Sequence, residues 1–147
     1  GTVVGYSLYN SLKLTTQVAK TIEVLSSEVE QQTKNISGVL LKSCDLHYTP
    51  EVKDVIHMLD VLQNFENIQD LNYHQFISFC KNFANSYDES SFERVLQKQR
   101  YQKKTISFLR NILDYYDVEN SLNKHLSALS EYRHPTMEGI YESAYPS

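Results

Sequence analysis

The chain is short of the residues that punctuate strands and turns: its 147 residues include four glycines, three prolines and no tryptophan. Glycine and proline bound most strands and hairpins, so their scarcity argues against a fold built from many short strands. It favours long uninterrupted helices, and we expect an all-α domain. Because alanine is also rare, helix formation must depend on the packing of apolar faces more than on intrinsic propensity.

The chain also lacks a long apolar run. No segment approaches the roughly 20 apolar residues of a transmembrane helix, and the opening segment, 1–5, is too short for a signal-peptide core. A hydrophobic fraction of 41% and a charged fraction of 22% are those of a globular protein. We therefore expect one soluble domain with no membrane span. A membrane anchor or a second domain before Gly1 stays open, since the sequence begins without methionine.

The two cysteines, Cys44 and Cys80, are too few for a disulfide framework. On the helical prediction below they lie roughly 13 Å apart along the helix axes, which is beyond the span of a disulfide, so we expect two free thiols. A nucleophile formed by Cys44 and His47 would lack an orienting group. Because the sequence also has no phosphate-binding loop, serine elbow or paired zinc cysteines, we expect neither an enzyme nor a cofactor.

A heptad-like seam predicts one long first helix. Apolar residues recur at alternating three- and four-residue spacing from position 4 to position 43, with polar residues at Ser11, Thr15, Gln32 and Ser43. The seam predicts a helix over about 10–45, some 50 Å long by the standard rise. The polar positions weaken a pure coiled coil and favour packing inside a bundle.

Local capping signals predict the helices that follow. Thr49-Pro50-Glu51 combines a hydroxyl cap, a proline at the first helical position and an early carboxylate, so a second helix should run from here to about 67. A third helix, over about 73–87, presents the aromatic face Tyr73, Phe76, Phe83 and Tyr87. The two form a short helical hairpin.

Ser90 and Glu93 have the spacing of a capping box and predict a long last helix over 91–134. It becomes two helices if 117–121 breaks it. We therefore predict an antiparallel bundle of four helices, or five, over 1–135, with long first and last helices around the hairpin. Residues 136–147 show no helical pattern and are expected to form a flexible tail, whose tyrosines could serve as a peptide ligand or modification site.

The stretch 94–110 carries six basic residues and no acidic one. Because the chain has a net charge of −4, the remainder carries −10. This pattern predicts a basic amphipathic helix that binds a partner. The predicted partner-binding residues are Arg94, Lys98, Arg100, Tyr101, Lys103, Lys104 and Arg110.

The leading hypothesis is a non-catalytic module that binds another protein, or an acidic or phosphate-rich surface, through its long helices and this stretch. Nucleic acid is disfavoured, because Tyr101 alone could stack on a base and the chain is acidic. Two alternatives stay open. One is an extracytoplasmic ligand-sensing bundle of a membrane receptor. The other is a metal-dependent enzyme of helical-bundle type that uses two acid–histidine pairs, Asp54 with His57 and Glu131 with His134.

Overall fold

A computed structural model describes residues 1–28, 33–36 and 38–147, with residues 33, 34 and 36 described by their backbone alone. Within these residues the fold combines six α-helices with one four-stranded mixed sheet. The prediction of an all-α antiparallel bundle is therefore wrong. The strands are β1 (Thr2–Val4), β2 (Ile22–Ser26), β3 (Thr33–Ile36) and β4 (Val39–Ser43). The helices are α1 (Gly5–Ser11), α2 (Pro50–Gln63), α3 (Tyr73–Asn85), α4 (Glu89–Lys98), α5 (Lys103–Tyr115) and α6 (Met137–Ala144).

The sheet has the strand order β1-β2-β4-β3. β2 runs antiparallel to β1 and parallel to β4, and β3 runs antiparallel to β4. Val3, Val24 and Leu41 form one row across three strands, because Val3 lies opposite Val24 and Val24 lies opposite Leu41. Side chains alternate along a strand, so this register assigns every neighbouring residue to one of two faces.

The sheet occupies the segment for which the seam predicts a long first helix, so that helix and the coiled coil are both corrected. The seam includes Ile22, Leu25 and Val39 but passes over three further apolar residues of β2 and β4: Val24, Leu40 and Leu41. Gly38, with φ of +81°, lies between β3 and β4, in a conformation that favours glycine. The seam positions Val29 and Gln32 lie outside the described residues.

Both helices of the predicted hairpin are present, with slightly different ends. The Thr49 hydroxyl accepts a hydrogen bond from the Val52 N–H at 3.2 Å and caps α2. After a short 3₁₀ helix, Phe65–Asn67, the Asn72 side chain accepts from the Gln75 N–H at 3.1 Å and caps α3. The Thr49 cap acts within one helical turn, which explains why the sequence predicts it correctly.

The prediction of one long last helix over 91–134 is wrong. Asp88, and not Ser90, caps α4 by accepting from the Ser91 N–H at 3.2 Å. α4 ends at Lys98, a connection over 99–102 follows, and α5 ends at Tyr115, just before the predicted break at 117–121. Beyond α5 the described chain is irregular as far as α6, apart from the 3₁₀ helix Leu122–His125.

The C-terminal segment 136–147 contains a helix that the sequence analysis did not predict. The Thr136 hydroxyl caps α6 by accepting from the Gly139 N–H at 3.2 Å. Met137 and Ile140 are fully buried against the rest of the core, and α6 packs on α3 and α5. The expectation of a tail without helical pattern is therefore corrected.

Helix α2 lies at the centre of the core. Its buried residues are Val52, Val55, Ile56, Met58, Leu59, Val61 and Leu62. It packs against α1, α3, α4, α5 and β1. The inward side chains of β1 and β2, Val4 and Leu25, belong to the same core, so one face of the sheet packs on the helices.

Candidate interaction surfaces

The predicted basic residues do not lie on a single helix. Arg94 and Lys98 are on α4, Arg100 is in the connection, Lys103 and Lys104 form the first turn of α5, and Arg110 lies further along it. The turn between α4 and α5 therefore gathers four of them at one place, which we call the basic corner: Lys98, Arg100, Lys103 and Lys104.

All four side chains of the basic corner are exposed, as is Arg94. In the described part of the chain none of these five bases forms an ion pair. α5 has basic residues where a helix favours acidic ones, and no side chain caps its first turn. The arrangement leaves an uncompensated positive surface.

The other two predicted binding residues lie in structural contacts. Arg110 is half-buried, and its Nη1 donates to Asn123 Oδ1 at 2.7 Å, which ties α5 to the 3₁₀ helix after it. Tyr101 packs against the hydrophobic core, and burial raises the pKa of its hydroxyl. Neither side chain is as exposed as the other five.

A cavity of about 180 Å³ adjoins the basic corner. It lies between the end of α2, the start of α5 and residues 133–135, and Lys104 and Arg133 line it from opposite segments. His134 forms part of the wall and stacks on Phe108, with ring centroids 5.3 Å apart and planes at 9°. We call this the corner cavity.

His134 is held in one orientation. Its Nδ1 lies 2.7 Å from the Pro135 carbonyl oxygen, which can only accept, so Nδ1 donates. Its Nε2 lies 2.9 Å from the Ser107 hydroxyl, and in the neutral ring it accepts from that hydroxyl. Both ring nitrogens are thus occupied within the protein.

The residues of the predicted metal site are not brought together. Asp54 and His57 line a different cavity, of about 210 Å³, beside α3, and His57 Nε2 lies 2.6 Å from the Thr2 hydroxyl. His134 lies against Ser107, and Glu131 is exposed in the irregular segment. No group of three or more potential ligands is positioned to hold a metal ion in the ranges that the structure describes.

The titration of Asp54 and His57 reflects their surroundings. Burial, and then the charge of Glu51, raise the pKa of the Asp54 carboxyl. Burial, and then Lys53, lower the pKa of the His57 ring. Each change favours the neutral form of the side chain.

The cysteines are free, as predicted, and both are buried. Cys44 directly follows β4, however, and is not on a helix. Burial raises the pKa of the Cys80 thiol, which disfavours the thiolate that a nucleophile requires.

The outer face of the sheet is largely apolar, and the heptad pattern did not predict it. The register places five apolar side chains on this face, and Ser26 and Ser43 share it at the ends of β2 and β4. The apolar side chains are Val3, Ile22, Val24, Val39 and Leu41. Val3 is 38% exposed and Ile22 45% exposed, and the other three are half-buried. The opposite face includes the buried Val4 and Leu25. The sequence signal that could have revealed this face is the apolar–polar alternation from Ile22 to Val24, which is typical of a strand.

This face differs from the usual solvent side of a small sheet. When one face of a sheet packs on a core, the other is normally polar. The apolar sheet face is therefore the strongest candidate surface in the described residues.

The first helix that a membrane-linked sensory bundle would need is absent from the described chain, because β2 and β4 occupy its place. Among the described residues no helix combines the length and apolar character needed to cross a bilayer. No protein-family model, curated protein or solved structure matches this chain.

Proposed function

We propose that this chain is a protein-binding module whose apolar sheet face docks one amphipathic helix of a partner protein. The observation that carries the proposal is the continuous outer face formed by Val3, Ile22, Val24, Val39 and Leu41. A sheet with two apolar faces is stable in water when a second layer covers the second face.

The dimensions of the face fit a helix. Three strands about 4.8 Å apart, each rising about 3.3 Å per residue, present a patch roughly 10 to 15 Å on a side. A helix with its side chains is about 10 to 12 Å across. One helix with an apolar stripe therefore covers the face, and its polar side stays in water.

Isosteric substitutions test this proposal. The triple variant Val3→Thr, Val24→Thr and Val39→Thr keeps side-chain shape and strand preference, but places three hydroxyls on the apolar sheet face. Val18→Thr is the matched control, because Val18 is 82% exposed and lies outside the strands. Both proteins should keep the wild-type circular dichroism spectrum and melting temperature.

Each protein is then used as bait for quantitative capture from the native source, followed by mass spectrometry. We expect the triple variant to lose the partner at least about tenfold, since apolar anchors dominate such interfaces. The Val18→Thr control should capture as the wild type does. Equal capture by the triple variant contradicts the proposal. If sedimentation shows a dimer that the triple variant abolishes, the occupant is a second copy and the helix proposal fails.

The basic corner favours a second candidate function, the binding of an acidic segment of a protein. Its supporting observation is the set of exposed bases that form no ion pair in the described chain. The remainder of the chain has a net charge of −10, so the corner is the natural point of approach for a negative partner.

A charge-reversal pair tests this second function. Lys103→Glu with Lys104→Glu places carboxylates in the first turn of α5, where they favour the helix, so folding should be retained. Lys20→Glu with Lys81→Glu changes the net charge equally at exposed sites elsewhere. With a fluorescent glutamate-rich peptide, only the first pair should abolish binding, and salt should weaken wild-type binding. Equal loss in both pairs would mean that net charge alone is responsible.

A further inference from the structure

We infer that the corner cavity binds the phosphoryl group of a phosphorylated residue in a partner protein. The inference rests on the second proposed function, that the basic corner takes an acidic protein segment, and it names the group that this segment carries.

Two cationic side chains reach the cavity from segments far apart in the sequence. Lys104 comes from α5, and Arg133 comes from the irregular chain before α6. Neither forms an ion pair with a carboxylate of the described residues. Arginine and lysine together are the usual ligands of phosphate, the first through its planar fork and the second as a point charge.

Three further polar residues that line the cavity are joined to one another by hydrogen bonds. Thr105, Gln102 and Gln63 face the same cavity. Gln63 Oε1 accepts from the Gln102 N–H at 2.8 Å and lies 3.4 Å from the Thr105 hydroxyl. These contacts hold the α5 end of the cavity to α2, so the lining is built before a ligand arrives.

One carboxylate, Glu66, also lines the cavity. It is exposed and pairs with neither cation in the described structure. Its charge opposes an anion in the cavity, which makes its removal a useful test. A substitution that merely damages the fold cannot strengthen binding.

The size of the cavity limits the ligand. Its volume of about 180 Å³ corresponds to roughly six water molecules at about 30 Å³ each. That is room for a phosphoryl group, but it is below the roughly 300 Å³ where whole small-molecule ligands begin. The rest of the ligand must therefore lie outside, where the exposed Lys103 and Arg100 can contact acidic neighbours of the modified residue.

The test compares two short glutamate-rich peptides that differ only in whether a central serine is phosphorylated. Fluorescence anisotropy gives the ratio of their affinities for the full chain. We expect the wild type to favour the phosphorylated peptide at least about tenfold. Arg133→Gln and Lys104→Gln should bring the ratio close to one, while Arg94→Gln, an exposed base away from the cavity, should leave it unchanged. Glu66→Gln should raise it.

The outcomes separate this inference from the function on which it rests. If the wild type binds both peptides equally, the phosphoryl site is refuted and acidic-peptide binding survives. If neither peptide binds, both fail. Loss of the ratio in Arg94→Gln as large as that in Arg133→Gln also overturns the inference, because the cavity would then be irrelevant. Binding to phosphoinositide vesicles without a preference for the phosphopeptide would assign the surface to a membrane instead.

Discussion

The backbone N–H of Gly5 donates a hydrogen bond to the carboxylate of Asp60, with 2.9 Å between donor and acceptor. Gly5 is the first residue of α1, directly after β1, and Asp60 lies on α2. The contact therefore fixes the edge of the sheet to the central helix. With the sheet held in this way, the apolar sheet face points away from the helices.

Gly5→Ala should destabilise the fold by about 1 to 2 kcal/mol. Gly5 has φ of +71°, which is strained for any residue with a Cβ. An added Cβ would also lie 2.1 Å from Glu23 Oε2, so the Glu23 side chain, which pairs with Lys42, would have to move. Urea denaturation measures the loss. An unchanged free energy of unfolding would show that α1 does not begin as described.

The stability of the chain should depend on pH through Asp60. Burial, the largest cause, raises the pKa of this carboxyl above its ordinary value. The folded state then holds its proton more tightly than the unfolded state, so the contribution of Asp60 is most favourable below about pH 3.9. It declines as the pH rises through the raised folded-state pKa.

Asp60→Asn separates this effect from other titrations. The variant can still accept from Gly5, but it does not ionise. The free energy of unfolding of the wild type minus that of the variant should therefore fall as the pH rises from the acid range to neutrality. Urea titrations of both proteins across that range provide the measurement. A difference that rises with pH would reverse the sign and contradict the burial of Asp60.

Helix α6 should contribute to global stability. Met137→Ala should cost about 2 to 5 kcal/mol, since the side chain is fully buried. Glu142→Ala, at an exposed position on the same helix, should change stability by less than about 0.5 kcal/mol. Chemical denaturation of the two variants gives the comparison. If both substitutions lower the free energy of unfolding by equally small amounts, α6 is not packed on the core, as expected for a flexible tail.

The features that the sequence predicted correctly are those set by neighbouring residues. The cap at Thr49 acts within one helical turn, so α2 could be placed. The aromatic face of Tyr73, Phe76, Phe83 and Tyr87 placed α3. Thr136 with Met137 and Ile140 offered the same kind of signal for α6, and the sequence analysis passed over it. The exposure of the basic corner also follows from composition, because lysine and arginine rarely bury their charge.

What could not be predicted depends on distant contacts. β2 and β4 are neighbours in the sheet and run parallel, although β3 comes between them in the sequence. No local pattern specifies that pairing. The break over 99–102 has neither glycine nor proline, and the structure places Gln63 of α2 against the Gln102 N–H there. The corner cavity likewise joins Lys104 to Arg133 through tertiary packing alone.

The most direct test of the account is the solvent exposure of individual methyl groups. A soluble gadolinium chelate broadens the NMR signals of exposed methyls in a protein labelled at isoleucine, leucine and valine. We predict strong broadening for the exposed Val3 and intermediate broadening for the half-buried Val24 and Leu41. Val4 and Leu25, on the buried face, should broaden little. A shift of one residue in strand register would exchange the two sets. Protection of Val24, or broadening of Leu25, would contradict the apolar sheet face and the function proposed from it.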